Sequence, residues 1–264
     1  NTVANVAFTG NGSSVTNAVS FANDGTLTLG TSGGTQTYNG GLTTTSVGGT
    51  VTLNGSIVTS NDAVVLGAVT LGSATTVDTN SSDTTGDITI GAVTGGSNSL
   101  TLSTGDNVAN TDISASGAIS GVTTLTLSDV GGTATFSGDV DVTTLSVDNT
   151  VANVALNGDG SSVTNSVSFA NDGTLQLGDA SGDTLTFNGG LTTTSVGSTV
   201  TLNGTIATSN DAIVLGAITL GSATEILTDA SSNAGDITIA AITGGSNNLT
   251  LSTGDNISGA DITA

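Results

Sequence analysis

The chain has 264 residues, 39 of them Gly, and contains no Lys, Arg, His, Pro, Cys, Met or Trp. Its formal charge of −21 has no internal counter-charge, so nothing can neutralise a phosphate: nucleic-acid binding is excluded and an anionic membrane surface disfavoured. Without His, Cys or Lys there is no proton transfer by imidazole, no thiol nucleophile and no Schiff base.

Apolar residues make up 35% and are mostly β-branched or Leu, while Glu225 is the single Glu. Val, Ile and Thr favour pleated strands, and Gly with Asn supplies tight turns, so the composition predicts an all-β chain. No segment approaches the roughly 18 apolar residues of a membrane span, and no membrane insertion is expected. The opening NTVANVAFTG has neither a basic nor an apolar leader region, so no signal peptide is expected within it.

Along the chain, short apolar–polar–apolar runs alternate with Gly-centred turns. They include VSFANDGTL (Val19–Leu27), YNGGL (Tyr38–Leu42), VTLNGSI (Val51–Ile57), VVLGAV (Val64–Val69) and ITIGAV (Ile88–Val93). Then come SLTLSTG (Ser99–Gly105), ISASGAI (Ile113–Ile119), TTLTLSD (Thr123–Asp129), ATFSGDV (Ala134–Val140) and TTLSVD (Thr143–Asp148). From Asn149 the series restarts: VSFANDGTL returns unchanged at Val167–Leu175, and one extra residue near DASGD (Asp179–Asp183) moves the spacing from 148 to 149. The chain therefore divides into a first long repeat, 1–148, and an incomplete second, 149–264.

With the pair at Gly55 and Gly67 merged, the glycine markers recur at roughly 20–30 residues, the range of solenoid coils. This predicts about six coils per long repeat and, at about 4.8 Å per coil, a rod of roughly 50 Å. The expected fold is a right-handed parallel β-helix; an antiparallel sandwich repeated twice is the alternative. Between copies Val64 becomes Ile213, Val69 becomes Ile218, Val93 becomes Ile242, Val108 becomes Ile257 and Tyr38 becomes Phe187. A packed interior absorbs such swaps. Phe21, Leu53, Leu66, Ile90, Phe136 and Phe169 are expected in the core, with Thr52, Thr89 and Thr101 pointing outward. The most altered stretch, Thr75–Thr85 against Thr224–Ala234, is expected to be an external loop. Asn39, Asn54, Asn157 and Asn203 each precede a marker Gly, and either stack as ladders or simply form Asn-Gly turns.

For chemistry, carboxylate pairs are what remains. Asp139 and Asp141 of GDVDV share one strand face, expected to be a solvated acidic face rather than a glycosidase pair. Calcium, should a cofactor be held, has candidate oxygen ligands in Asp24, Asp62, Asp106, Asp172, Asp211 and Asp255, which sit in ANDG, SNDA and TGDN turns beside Asn. No EF-hand loop and no nonapeptide calcium repeat is present, and turn formation by Asp is the simpler account.

The alternation in GTVTLNGSI and GDITIGAVTGGSNSLTLSTGD resembles the repeat regions of giant bacterial surface proteins, the filamentous-haemagglutinin-like and autotransporter-like adhesins. Their passengers are right-handed parallel β-helices. The resemblance covers essentially the whole chain and implies a secreted, cell-surface or extracellular protein in a stalk, adhesive or fibre-forming role; it transfers no catalytic residue. The expected partners are further copies, end to end, with cell-surface or matrix polysaccharide as a further one. A β-helical polysaccharide-active enzyme or carbohydrate-binding module is the alternative function.

Overall fold

The computed structural model describes residues 3–231, 234–254 and 259–264. Among them are 27 strands and no helix, hence none long and apolar enough to cross a membrane. Strands pair in parallel with equivalents one coil away, as Val6 with Leu27 and Leu42 with Val64 do. Parallel neighbours cannot be joined by a two-residue turn, so the chain must travel round the core before pairing again. The fold is a parallel β-solenoid of about 11 turns, and the antiparallel sandwich is overturned. The merging of Gly55 with Gly67 holds, although that coil is shorter than the expected 20–30 residues. Val51 pairs with Val69 only eighteen residues on, so Gly55 and Gly67 belong to one short coil.

Each coil contributes to three faces. The first runs through Val6, Leu27, Val51, Val69, Val93, Ile119 and Val140, then from Val142 through Val163 to Phe187. The third runs unbroken through both copies: Val19, Leu42, Val64, Ile88, Ile113, Ala134, Val154, Leu175, Val200, Ile218 and Ile242. The second carries Ile57, Val77, Leu102, Leu127 and Val147, and in the second copy Val167, Leu191, Ile213, Ile237 and Ile262.

Strand alternation sends every second side chain into this interior. Leu53, Leu66, Ile90, Phe136 and Phe169 are buried, while Phe21, packed against the core from the first coil, is half-buried. Thr52, Thr89 and Thr101 alternate with buried neighbours and reach the surface. Val64 and Ile213, like Val69 and Ile218, are buried in both copies, whereas Val93 is buried and Ile242 is 40% exposed on the last coil. Val108 is half-buried, and Ile257 lies outside the described residues.

The expected loop at Thr75–Thr85 is a correction. Its first half is strand, continuous from Val69 to Ser81, with Thr75, Val77, Thr79 and Ser81 buried. The second copy extends its strand over Ile213–Ala230, with Thr224, Ile226 and Thr228 buried. The inward residues are kept (Thr75/Thr224, Val77/Ile226, Thr79/Thr228) and the outward ones change (Thr76/Glu225, Asp78/Leu227, Asn80/Asp229). High variation here marks the wet side of a strand. The inward threonines join coils: Thr59 Oγ1 donates to the Thr79 carbonyl, Thr79 Oγ1 to that of Thr104 and Thr104 Oγ1 to that of Asp129, at 3.2, 3.2 and 2.8 Å.

The Asn residues do not stack on one another. Asn54 Nδ2 donates to the Leu29 carbonyl and Asn203 Nδ2 to that of Gly178, while Asn39 Oδ1 accepts from Ser60 Oγ and Asn157 Oδ1 from Gln176 Nε2. Turn chemistry accounts for the glycines after Asn54 and Asn203: Gly55 and Gly204 have φ of 66° and 68°. A Cβ on Gly55 would also come within 2.3 Å of the Gly34 carbonyl oxygen one coil below.

The Tyr38/Phe187 exchange has a partner. Tyr38 Oη donates to Gln36 Oε1 at 2.9 Å, both side chains being buried, and Gln36 Nε2 donates to the Phe8 carbonyl at 2.6 Å. Where the second copy has Phe187 it also has Leu185 in place of Gln36, so hydroxyl and amide disappear together. Tyr38→Phe alone leaves Gln36 Oε1 buried and unpaired and should cost about 1–3 kcal/mol. The double variant Tyr38→Phe/Gln36→Leu should recover much of that loss. A double-mutant cycle in urea reads the coupling, expected at about 0.5–3 kcal/mol.

Candidate functional site

One surface hollow is built from outward residues of several coils. It has a volume of about 320 Å³ and is lined by Ser97, Thr123, Asp141, Thr143, Ser162 and Thr164 around Gly121. Gly121 sits at φ 65°, at a bulge where the first face steps from Ser120 to Val122. Losing one residue of register there opens the wall and leaves the Asp141 carboxylate beside hydroxyls. Burial, followed by the negative charge of Asp139, raises the Asp141 carboxyl above its usual range, against a lowering hydrogen bond from the Ser162 amide. Asp141 is nonetheless exposed and Asp139 half-buried, while Val140 and Val142 point into the core.

A second acidic feature runs along the corner between second and third faces. Burial and the charges of Asp148, Asp78 and Asp106, in that order, raise the Asp129 carboxyl. Asp129 holds φ 53°, and its amide donates to Thr150 Oγ1. In the short loop that follows the Val69–Ser81 strand, Asp83 goes the other way: hydrogen bonds from the Thr85 hydroxyl and amide hold its carboxyl below the usual range.

The five described calcium candidates, Asp24, Asp62, Asp106, Asp172 and Asp211, are spread along the solenoid. Asp24, Asp106 and Asp172 are exposed at turns. Asp62 and Asp211 are half-buried, and each accepts a threonine hydroxyl through its main-chain carbonyl, from Thr59 and Thr208. They line equivalent hollows of about 310 and 410 Å³ in the two copies. Asp106 joins the Asp129 corner; Asp255 lies outside the described residues. Among the described residues no three acidic side chains converge as a metal site would require.

The sequence did not reveal which carboxylates hold the corners. Asp87 Oδ1 accepts the Asp112 amide, Asp112 Oδ1 the Thr133 amide, Asp159 Oδ1 the Thr184 amide and Asp236 Oδ1 the Asp261 amide, at 2.7–3.0 Å. In the ANDG turns it is the Asn that is buried. Asn23 Nδ2 bonds the Ala4, Gly25 and Thr26 carbonyls, and Asn171 Nδ2 those of Ala152 and Thr174. The unchanged FAND of both copies was the available signal.

Compared with known families, curated proteins and solved structures, the chain matches none.

The raised Asp141 carboxyl gives a signed pH effect. Its folded state binds a proton more readily than the unfolded chain, whose carboxyl titrates near 3.8. The charged form is thus a cost to folding at neutral pH, and that cost fades as pH falls through the raised value toward 3.8. Asp141→Asn should therefore raise Tm at pH 7, and the difference from the parent should close in acid. Thermal melts from pH 7 to 3 check this; equal Tm values at pH 7 would contradict the assigned shift.

Proposed function

We propose that this chain is a structural segment of a secreted or cell-surface fibre: a rod forming a stalk or filament, without enzymatic activity. The observation that carries the reading is the third face, whose rungs run without interruption from Val19 to Ile242 across the boundary between copies. A fold spent on continuity, with Thr and Ser on much of its outside, suits a spacer. The adhesin-like alternation of its repeats supports an extracellular or cell-surface location.

Assembly follows from the same geometry. Among the described residues of the last coil, Ile242 and Ile262 are exposed large apolar side chains. A further coil, in the same chain or from a second copy stacked head to tail, would cover them. Sideways, the charge of −21 opposes contact over a Debye length of about 8 Å at physiological salt. Calcium is an accessory here, bridging turn carboxylates such as those of Asp24, Asp62, Asp106, Asp172 and Asp211 between neighbouring rods. Electron micrographs of long arrays should show thin filaments in chelator and bundles after calcium is added. Compact isolated particles in both conditions would refute the filament reading, and filaments indifferent to calcium would remove its bridging role.

The hollow at Asp141 favours one rival, a polysaccharide-active β-helix, because it places a carboxyl raised by burial and by Asp139 among hydroxyls. No turnover is expected from the parent chain on a panel of polysaccharides. Activity that disappears in Asp139→Asn and Asp141→Asn would replace the structural reading with the enzymatic one.

A further inference from the structure

The two copies are not related by a whole number of turns. In the first, Val6 lies on the first face and pairs with Leu27. Its equivalent Val154 lies on the third, pairing with Ala134 below and Leu175 above. The displacement holds throughout. Val19 of the third face corresponds to Val167 of the second, and Tyr38 of the second face corresponds to Phe187, which continues the first. Residue for residue, the second copy is set one face round from its predecessor.

The cause is the segment 116–148. Up to Ala115 the chain lays down complete turns, since the first face has rungs at Val6, Leu27, Val51, Val69 and Val93 and the third at Val19, Leu42, Val64, Ile88 and Ile113. The segment then adds strands at Ile119, Leu127, Ala134, Val140 and Leu145, on the first, second, third, first and second faces. Two whole turns would need one strand more. The next copy therefore has to begin on the third face, and the extra residue near Asp179–Asp183 falls in a turn and leaves the count of faces unaltered.

We propose that residues 116–148 are a phasing segment, which turns each successive copy by one face so that the same surface is shown on all three sides of the rod in rotation. In a tandem continuation the surface would return to the same side with every third copy. The equivalent hollows illustrate the effect. One, at Val19, Leu42, Thr43 and Asp62, opens along the third face, and its counterpart at Val167, Leu191, Thr192 and Asp211 along the second. A rod phased in this way meets its surroundings on every side with the same contacts, where an unphased one would gather them along a single edge. Contacts of one kind spread around the rod then act together by multivalency.

The inference rests on the rod reading, and one experiment separates the two. The chain has no Cys, so maleimide gold clusters can be placed at Ser60→Cys and Ser209→Cys, equivalent exposed corners of the two copies. Ser60→Cys with Ala217→Cys is the reference, because both lie between the second and third faces. In electron micrographs the reference clusters should fall on one line parallel to the axis, about 34 Å apart. The equivalent pair should fall on different sides at a similar axial spacing. Joining Ala115 directly to Asn149 should bring the equivalent pair onto one side and shorten its axial spacing to about 24 Å. Should that deletion variant not fold, the comparison of the two pairs in the full chain decides alone. An equivalent pair on one side of the full chain overturns the phasing, as does a folded deletion variant whose clusters stay on different sides. Clusters of the reference pair without axial separation overturn the rod itself.

Discussion

Every feature of this protein depends on in-register parallel pairing of one coil with the next. Backbone amides and carbonyls of a coil are satisfied by the coils above and below, and each rung places an apolar residue over another. Position 51 sits on 27 and under 69, and 64 on 42 and under 88. A slip of one residue would send the inward row to solvent. Hence the freedom to exchange Val for Ile inside, and hence the corners, where coil length varies, carry the Gly, Asn and Asp residues.

The corners also give some of the carboxylates a structural role. Asp87, Asp112, Asp159 and Asp236 use a carboxylate oxygen to accept an amide of the next coil, the service that Asn5 and Asn153 perform with a neutral oxygen. Elsewhere like charges meet: Asp129 feels Asp148, Asp78 and Asp106 and is raised by them after burial. A chain without a single Lys or Arg has no means of relieving such a corner internally. Solvated surroundings keep the repulsion bearable, and divalent ions in the medium would reduce it.

Much of this was legible in the residues. Period-two alternation gave the inward rows, so Leu53, Leu66, Ile90, Phe136 and Phe169 were identifiable as core from pattern alone. At Thr75–Thr85 the variation between copies suggests a loop, whereas the structure has strand as far as Ser81. The stretch's alternate positions were in fact nearly invariant, Thr75, Val77 and Thr79 against Thr224, Ile226 and Thr228. The hollow at Asp141 was out of reach, since Ser97, Thr123, Thr143 and Ser162 come from successive coils and share no local motif.

By itself, then, the sequence determined an all-β class: a repeated alternation of β-branched and hydroxyl residues, punctuated by Gly, buries its apolar row in stacked coils or in a repeated sandwich, and parallel pairing decided for the coils. It determined the repeat of 148–149 residues and the absence of basic chemistry as well. What only the tertiary structure decided is which strand lies on which face. That depends on how many strands are laid down between equivalent residues, and corners of unequal length hide this number. Val6 and Val154 read as the same residue in the chain; pairing with Leu27 in one case and with Ala134 and Leu175 in the other puts them on different sides of the rod.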